Sequence, residues 1–288
     1  MAKMVVRIAA GAFVVLWATG FVGAKYGLPY AGPMTFLAIR FSIVAVAMGL
    51  FAAAFGGLRG VDLKGAAIIG LLIHGVYLGA VFTAISWGAG AAISALIVSM
   101  QPLVTIAFAR ALLGERLNRR QWLGIGLGMF GATLVVIRKL DGGDINVAGV
   151  VLCLFGLVAI SLSSVMQKQR NVQQGLVADS AVQFAAAAAA TGALALLFET
   201  QPIQWTPEFV FALAWMCIVL SLGAVTLLYY LIRRGAASQT ASLFFLVPGV
   251  TALMAWAMFG EVFGPVELIG LLVAMVGVAL ASQKPKAP

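Results

Sequence analysis

Apolar residues run along this chain in blocks of about 20, separated by short polar elbows rich in glycine, proline and charge. Blocks of that length match the hydrocarbon thickness of a bilayer. They predict ten helices, at roughly 5–24, 33–55, 65–86, 91–113, 121–138, 147–167, 178–198, 207–230, 237–259 and 265–282. Gly56-Gly57, Gly142-Gly143 and the pair Pro202 and Pro207 mark three of the connections. No connection is long enough to hold a soluble domain. The pattern therefore predicts one membrane domain over residues 1–288, all-α, crossing the membrane ten times.

The pattern also repeats. Residues 88–136 return at 234–282 with a shift of 146: Pro102 falls on Pro248, Thr105 on Thr251, Gly114-Glu115 on Gly260-Glu261, Gly124 on Gly270, Met129 on Met275 and Gly131 on Gly277. Thirteen of 49 positions are identical without a gap. Alanine coincides by chance in so apolar a chain, but a proline, a Gly-Glu pair and two spaced glycines in one register do not. The repeats run over 1–142 and 143–288. Five helices is an odd number, so the second copy enters the membrane upside down. Such inverted-topology repeats are the plan of many secondary transporters, whose sites lie near the midplane between the halves. A duplicated bundle with no transport role is the alternative, and polar residues at mid-depth speak against it.

Composition agrees with a lipid-facing surface. The chain is 63% hydrophobic and 9% charged, against about a quarter charged in soluble proteins. In a soluble chain the net charge of +9 would point to nucleic acid. Here the basic residues sit in short loops, so membrane orientation is the better cause, and no nucleic-acid partner is expected. With the N-terminus inside, thirteen of the 18 Lys and Arg fall on the cytoplasmic side. Only Lys25, Arg138 and Lys139 fall opposite, while Arg40 and Arg110 lie within helices. That asymmetry predicts both termini cytoplasmic. Lys3 and Arg7 before an apolar run outline a leader, but nine more spans favour a retained first helix. Cys153 and Cys217 lie in apolar segments without metal-ligand spacing and read as small core residues, so no metal or cofactor is expected.

Each 146-residue copy ends in a proline-containing helix, a Gly-Glu elbow and a glycine-spaced last helix. The opening adds Trp17-Ala-Thr-Gly-Phe21 with Lys25, and the stretch PMTFLAIR from Pro33 to Arg40. Over nearly the whole chain this resembles the EamA family of the drug/metabolite transporter superfamily. The resemblance implies an exporter of amino acids or other small metabolites in the inner membrane. In aromatic content the chain is also similar to the aromatic amino acid exporters of that family.

Several side chains fit a midplane site. Pro102 and Pro248 remove backbone donors and predict freed carbonyls at Val98 and Phe244, which would suit an ammonium group, or else the kinks only shape packing. His74 and Tyr77 share a face of the third helix at a depth where polar groups need a wet cavity or partners. His74 either donates to substrate, switches protonation near neutral pH, or is a satisfied core residue. Ser99 and Gln101 flank Pro102, and Ser163, Ser164 and Gln167 of the sixth helix are placed to face them. Trp17, Tyr229, Tyr230, Phe244 and Phe245 offer aromatic walls or ordinary packing. The predicted lining is Trp17, His74, Tyr77, Ser99, Gln101, Ser163, Gln167, Phe244 and Phe245, with Pro102 and Pro248 as kinks.

Absent groups narrow the function. All nine carboxylates lie in loops or near helix ends, so proton or sodium coupling through an embedded carboxylate is disfavoured. Uniport, exchange or coupling through His74 remain. Phosphorylated cargo calls for cavity Lys or Arg. Only Arg40 lies well inside a helix, where it snorkels or pairs. A small, largely apolar zwitterion fits better. Glu115 and Glu261 are expected to cap the following helix or pair with neighbours such as Arg119. Gly124, Gly126, Gly128, Gly131, Gly270 and Gly277 form faces for close packing, within the protomer or across a homodimer. An intramembrane enzyme lacks a catalytic constellation here, and a channel does not need the duplication. The expected function is export by alternating access of amino acids or similar small neutral metabolites, aromatic or large apolar ones favoured.

Overall fold

The computed structural model describes residues 2–55, 60–113, 118–143, 145–170, 175–224, 227, 231 and 243–282, with the side chains of 2–4, 7 and 113 left aside. Glu115, Tyr229, Tyr230, the end of the eighth predicted span and the start of the ninth lie outside them. The described residues contain helices and connections and no strand. The helices are α1 (Ala2–Gly27), α2 (Pro33–Phe55), α3 (Leu63–Ser86), α4 (Ala91–Val98), α5 (Gln101–Leu113) and α6 (Arg119–Asp141). They continue as α7 (Val147–Arg170), α8 (Leu176–Phe198), α9 (Pro207–Ala224), α10 (Val247–Phe259) and α11 (Pro265–Ala281). Eight stretches are long and apolar enough to cross a membrane, and two shorter apolar helices cover Phe244–Phe259 and Pro265–Ala281.

Local chemistry sets several helix starts. Asn118 and Gln121 form a reciprocal capping box at α6, with both hydrogen bonds 2.9 Å. Asp62 accepts from the Gly65 N–H at α3, and Thr206 caps α9 ahead of Pro207. Two other starts are capped from far away in sequence. Glu199, at the end of α8, accepts from the Met34 and Thr35 N–H groups of α2 at 2.7 and 2.8 Å. Glu261 does the same for α4, accepting from Ala91 and Ala92 at 2.9 and 3.2 Å. A carboxylate at a helix N-terminus satisfies orphan donors and opposes the positive dipole end.

Both prolines, expected as kinks, follow directly on an irregularity in their apolar stretch. Each is the second residue of its helix, Pro102 in α5 and Pro248 in α10. Proline fits a first turn, where its missing N–H has no partner to lose, so the chain breaks ahead of it. The break separates α4 from α5 at Ser99-Met100, and a 3₁₀ turn at Phe244–Leu246 precedes α10. The Phe244 carbonyl is not free, because the Val247 N–H donates to it.

The packing respects the 146-residue shift. Equivalent helices pack on each other, α2 on α8 and α6 on α11. Other contacts come as mates: α1 packs on α9 as α7 does on α3, and α1 on α10 as α7 does on α4 and α5. The glycine faces lie in one of these seams. A Cβ on Gly124, Gly131 or Gly277 would collide with the backbone of the facing helix, and Gly270 is nearly as tight, while a Cβ on Gly128 would meet Leu103 of α5. They bring α6 and α11 together inside one protomer. Gly126 faces open space.

The shift also pairs two irregularities. Residues Leu71–Leu78 within α3 and Trp215–Ala224 within α9 are π-helical, with i→i+5 hydrogen bonding. Such stretches cost stability and concentrate at functional sites. His74 and Tyr77 of the first and Leu220 and Ser221 of the second line one cavity.

Candidate functional site

A cavity of ≈130 Å³ lies between the two halves of the chain. Trp17, Phe21, Arg40, His74 and Tyr77 come from α1, α2 and α3, and Ile160, Phe184, Met216, Leu220 and Ser221 from α7, α8 and α9. A cavity of about 150 Å³ admits benzene, so this one has the size of a single ring. A smaller chamber of ≈40 Å³ shares Trp17, Phe21, Tyr77 and Ile160, and adds Val98, Ser99, Gln101, Pro102 and Phe244. Four side chains thus form the partition between two lobes.

The walls are rigid aromatic surfaces. Trp17, Phe13 and Phe244 form a three-ring cluster with centroids 5.1–5.3 Å apart. His74 stacks on Phe184 at 4.1 Å, with Phe41 5.6 Å from the imidazole. Packed edges and faces of this kind contribute about 0.5–1.5 kcal/mol per pair beyond burial.

Arg40 departs from this apolar character. It is the only charged residue of α2 and is 4% exposed. Nη2 donates to the Ser221 hydroxyl at 3.1 Å, and its guanidinium carbon lies 5.7 Å from the Phe41 ring. Nε and Nη1 have no hydrogen-bond partner among the described residues. Burying a guanidinium costs several kcal/mol even after relaxation. One hydrogen bond from a charged donor returns about 1.5–3 kcal/mol. The imbalance lies at the cavity wall. The sequence reading expected Arg40 to snorkel or pair, and it does neither in full. A lone charge within an apolar helix was the available signal.

Polar ties close both ends of the bundle. At one end Lys25 Nζ lies 2.6 Å from Glu261 and 4.7 Å from the centroid of the Phe259 ring. Lys139 donates to the Val262 carbonyl at 2.6 Å, and the Asn146 amide donates to the Trp87 carbonyl. Glu261 therefore caps α4 and pairs with α1, instead of capping the helix that follows it. At the other end Arg170 reaches Asp179 at 2.8 Å and Asp62 at 3.2 Å, and Gln183 donates to Asp179 at 2.7 Å. Through Gly65 first and Arg170 after it, the Asp62 carboxyl is held below its usual range.

The expected site residues divide. Trp17, His74 and Tyr77 line the larger lobe, and Ser99, Gln101, Pro102 and Phe244 the smaller. Gln101 donates to Ser164 at 2.9 Å, which joins α5 to α7. The Ser99 hydroxyl is turned back onto Leu96 O at 2.6 Å. Ser163 is buried but donates to Ile160 O, and Gln167 is exposed near the end of α7. Neither lines either lobe, and neither do the buried Phe245 and Pro248. Ser163 is one residue off the face that reaches Gln101. Sequence reasoning missed Ser221 and Phe184 because nothing local distinguishes them from packing residues. Cys153 and Cys217 are buried free thiols.

A duplicated helical bundle with an aromatic-walled chamber between its halves has the form of a membrane transporter. The EamA-like transporter family model matches residues 6–137 and again 147–283, so the chain belongs to that family. It is 26% identical over 279 residues to the Escherichia coli (strain K12) protein named "Uncharacterized inner membrane transporter YedA", covering 94% of this chain and 88% of that one. It is 26% identical over 275 residues to another from the same organism, named "Probable amino-acid metabolite efflux pump", covering 92% and 90%. It is 25% identical over 285 residues to one from Streptantibioticus cattleyicolor named "Probable terminal-alkyne amino-acid exporter", covering 94% and 91%. A solved crystal structure is similar in fold, with a TM-score of 0.67, 20% identity and 96% of both chains covered.

Proposed function

We propose that this transporter is an inner-membrane exporter of amino acids or similar small metabolites, with aromatic or large apolar side chains favoured. It works by alternating access of two inverted five-span halves around the chamber at Trp17, His74 and Tyr77. The observation that carries this reading is that both halves wall one ring-sized chamber. Matched packing across the 146-residue shift supports the duplication, and lysine and arginine counts support cytoplasmic termini. The Lys25 end is then periplasmic and the Arg170 end cytoplasmic. Relatives named for amino-acid export support the cargo class.

Aromatic walls select by shape and apolar area. Enclosure of a ring removes its face from water, at about 25 cal/mol per Å² of apolar surface buried. Rocking of one half against the other opens the chamber to one side at a time. Counterflow in liposomes holding the purified protein tests the reading. Saturable exchange of labelled phenylalanine or a related compound is expected, whereas flux that never saturates marks a channel and rejects the carrier.

A further inference from the structure

Among the described residues the chamber holds one fixed positive charge, on Arg40, and no acidic side chain lines it. Three carboxylates that the bundle partly or fully encloses are already engaged. Asp179 is held by Arg170 and Gln183, Glu199 by Met34 and Thr35, and Glu261 by Lys25, Ala91 and Ala92. None of them is available to balance Arg40. Its only side-chain acceptor among the described residues is a neutral hydroxyl, Ser221.

We propose that Arg40 is the receptor for the carboxylate of the cargo, and that the preferred cargo is a monocarboxylate with an apolar or aromatic body and no ammonium group. The inference rests on the carrier reading above and shifts its preferred cargo from the amino acid to the corresponding monoanion. A guanidinium offers planar paired donors that match a carboxylate, and it stays charged when buried. The aromatic walls take the body of the molecule. A zwitterion also brings a carboxylate, but its ammonium finds no acidic side chain in the wall and leaves the loaded chamber cationic. A monoanion leaves it neutral, so less charge remains in the low-dielectric interior.

This choice has an energetic consequence. The net charge moved in a full cycle is that of the cargo, because Arg40 returns with the protein. An interior-negative potential then drives a monoanion outward with no coupling ion. Each ~100 mV sustains about a 50-fold gradient of a monovalent anion.

The experiment uses full-length protein in liposomes, with labelled phenylpyruvate, phenylalanine and phenethylamine as probes at pH 7.5. A potassium gradient with valinomycin sets the potential. The expected result is saturable phenylpyruvate flux, roughly 10–100-fold above phenylalanine in kcat/KM, the difference that an ammonium left unpaired in the chamber makes. It should accelerate when the exit side is made positive, and phenethylamine should not be carried. Arg40→Gln should abolish the preference, whereas Arg40→Lys should keep part of it. Phenylpyruvate should raise the thermal midpoint of the wild-type protein but not of Arg40→Gln. Should that variant not fold, Ser221→Ala decides: its KM for phenylpyruvate should shift several-fold, and an unchanged KM overturns the proposal. Phenylalanine carried as well as phenylpyruvate, without response to potential, overturns the proposal and leaves the carrier standing. No saturable flux of any amino acid or carboxylate rejects both.

Discussion

Lys25 and Glu261 stand 236 residues apart in sequence and 2.6 Å apart in space. The same carboxylate holds the first N–H groups of α4, so one side chain ties α1 to the start of α4 and to the elbow before α11. It is a three-way joint at the Lys25 end.

Glu261→Gln should therefore cost more than an exposed ion pair. The pair is partly buried, with side chains 30% and 16% exposed. Loss of the ion pair together with a helix cap is expected to cost about 1–3 kcal/mol. Thermal unfolding of purified Glu261→Gln, Lys25→Met and the double variant gives the coupling between the two. Strict additivity of the single effects would show that the ion pair itself carries no coupling energy.

The seam of α6 and α11 makes an opposite pair of forecasts. Gly131→Leu and Gly277→Leu each place a side chain where the facing backbone already lies, so the helices must separate. Overpacking of this kind costs about 1–3 kcal/mol or more. Gly126→Ala meets open space and should leave stability within about 0.5 kcal/mol of wild type. Equal yields and melting points for all three would contradict the seam.

Acid should loosen the Arg170 end. The Asp62 carboxyl is held below its usual value of 3.8, by the Gly65 N–H first and by Arg170 after it. Its folded value is depressed, so its contribution is present above 3.8 and is lost as pH falls through the lower, folded value. Asp62→Asn should lower the melting point at neutral pH, where the contribution is present, and flatten the acid limb of the profile below pH 3.8. A variant profile parallel to wild type at all pH values would remove Asp62 from the network's energetics.

The lobes make a functional forecast. His74→Ala and Gln101→Ala should lower flux, since one lines the larger lobe and the other joins α5 to α7 through Ser164. His74→Ala also loses a stacked pair worth about 0.5–1.5 kcal/mol. Gln167→Ala, at an exposed position, should transport as wild type. Initial rates of counterflow, normalised to protein in the vesicles, separate the three. Wild-type rates for all of them would remove both lobe residues from the transport path.

Much of the helical framework can be read from the chain because one property, unbroken apolar length, decides it. Residues 33–55 were delimited from sequence alone and form α2 over Pro33–Phe55. Caps within three residues of their target, such as Asn118 with Gln121, are likewise local. The rest depends on distant chain. Glu261 finds its helix start 170 residues back, and Arg40 finds Ser221 181 residues on. Periodicity says that Arg40 is deep but does not say that its neighbours withhold acceptors. The Ser163 side chain misses the lobe while Ser164 reaches Gln101, a one-residue rotation that sequence cannot fix without the crossing of α5 and α7. The π-helical stretches were equally invisible, since they depend on what each helix must pack around.

Those two stretches also bear on how such a bundle can move. An i→i+5 stretch stores one surplus residue, and an α-helix advances about 1.5 Å and 100° per residue. Passing that surplus along α3 or α9 would turn and slide part of the rod like a screw, while its ladder stays hydrogen-bonded throughout. His74 and Tyr77 ride on one such thread, and Leu220 and Ser221 on its counterpart.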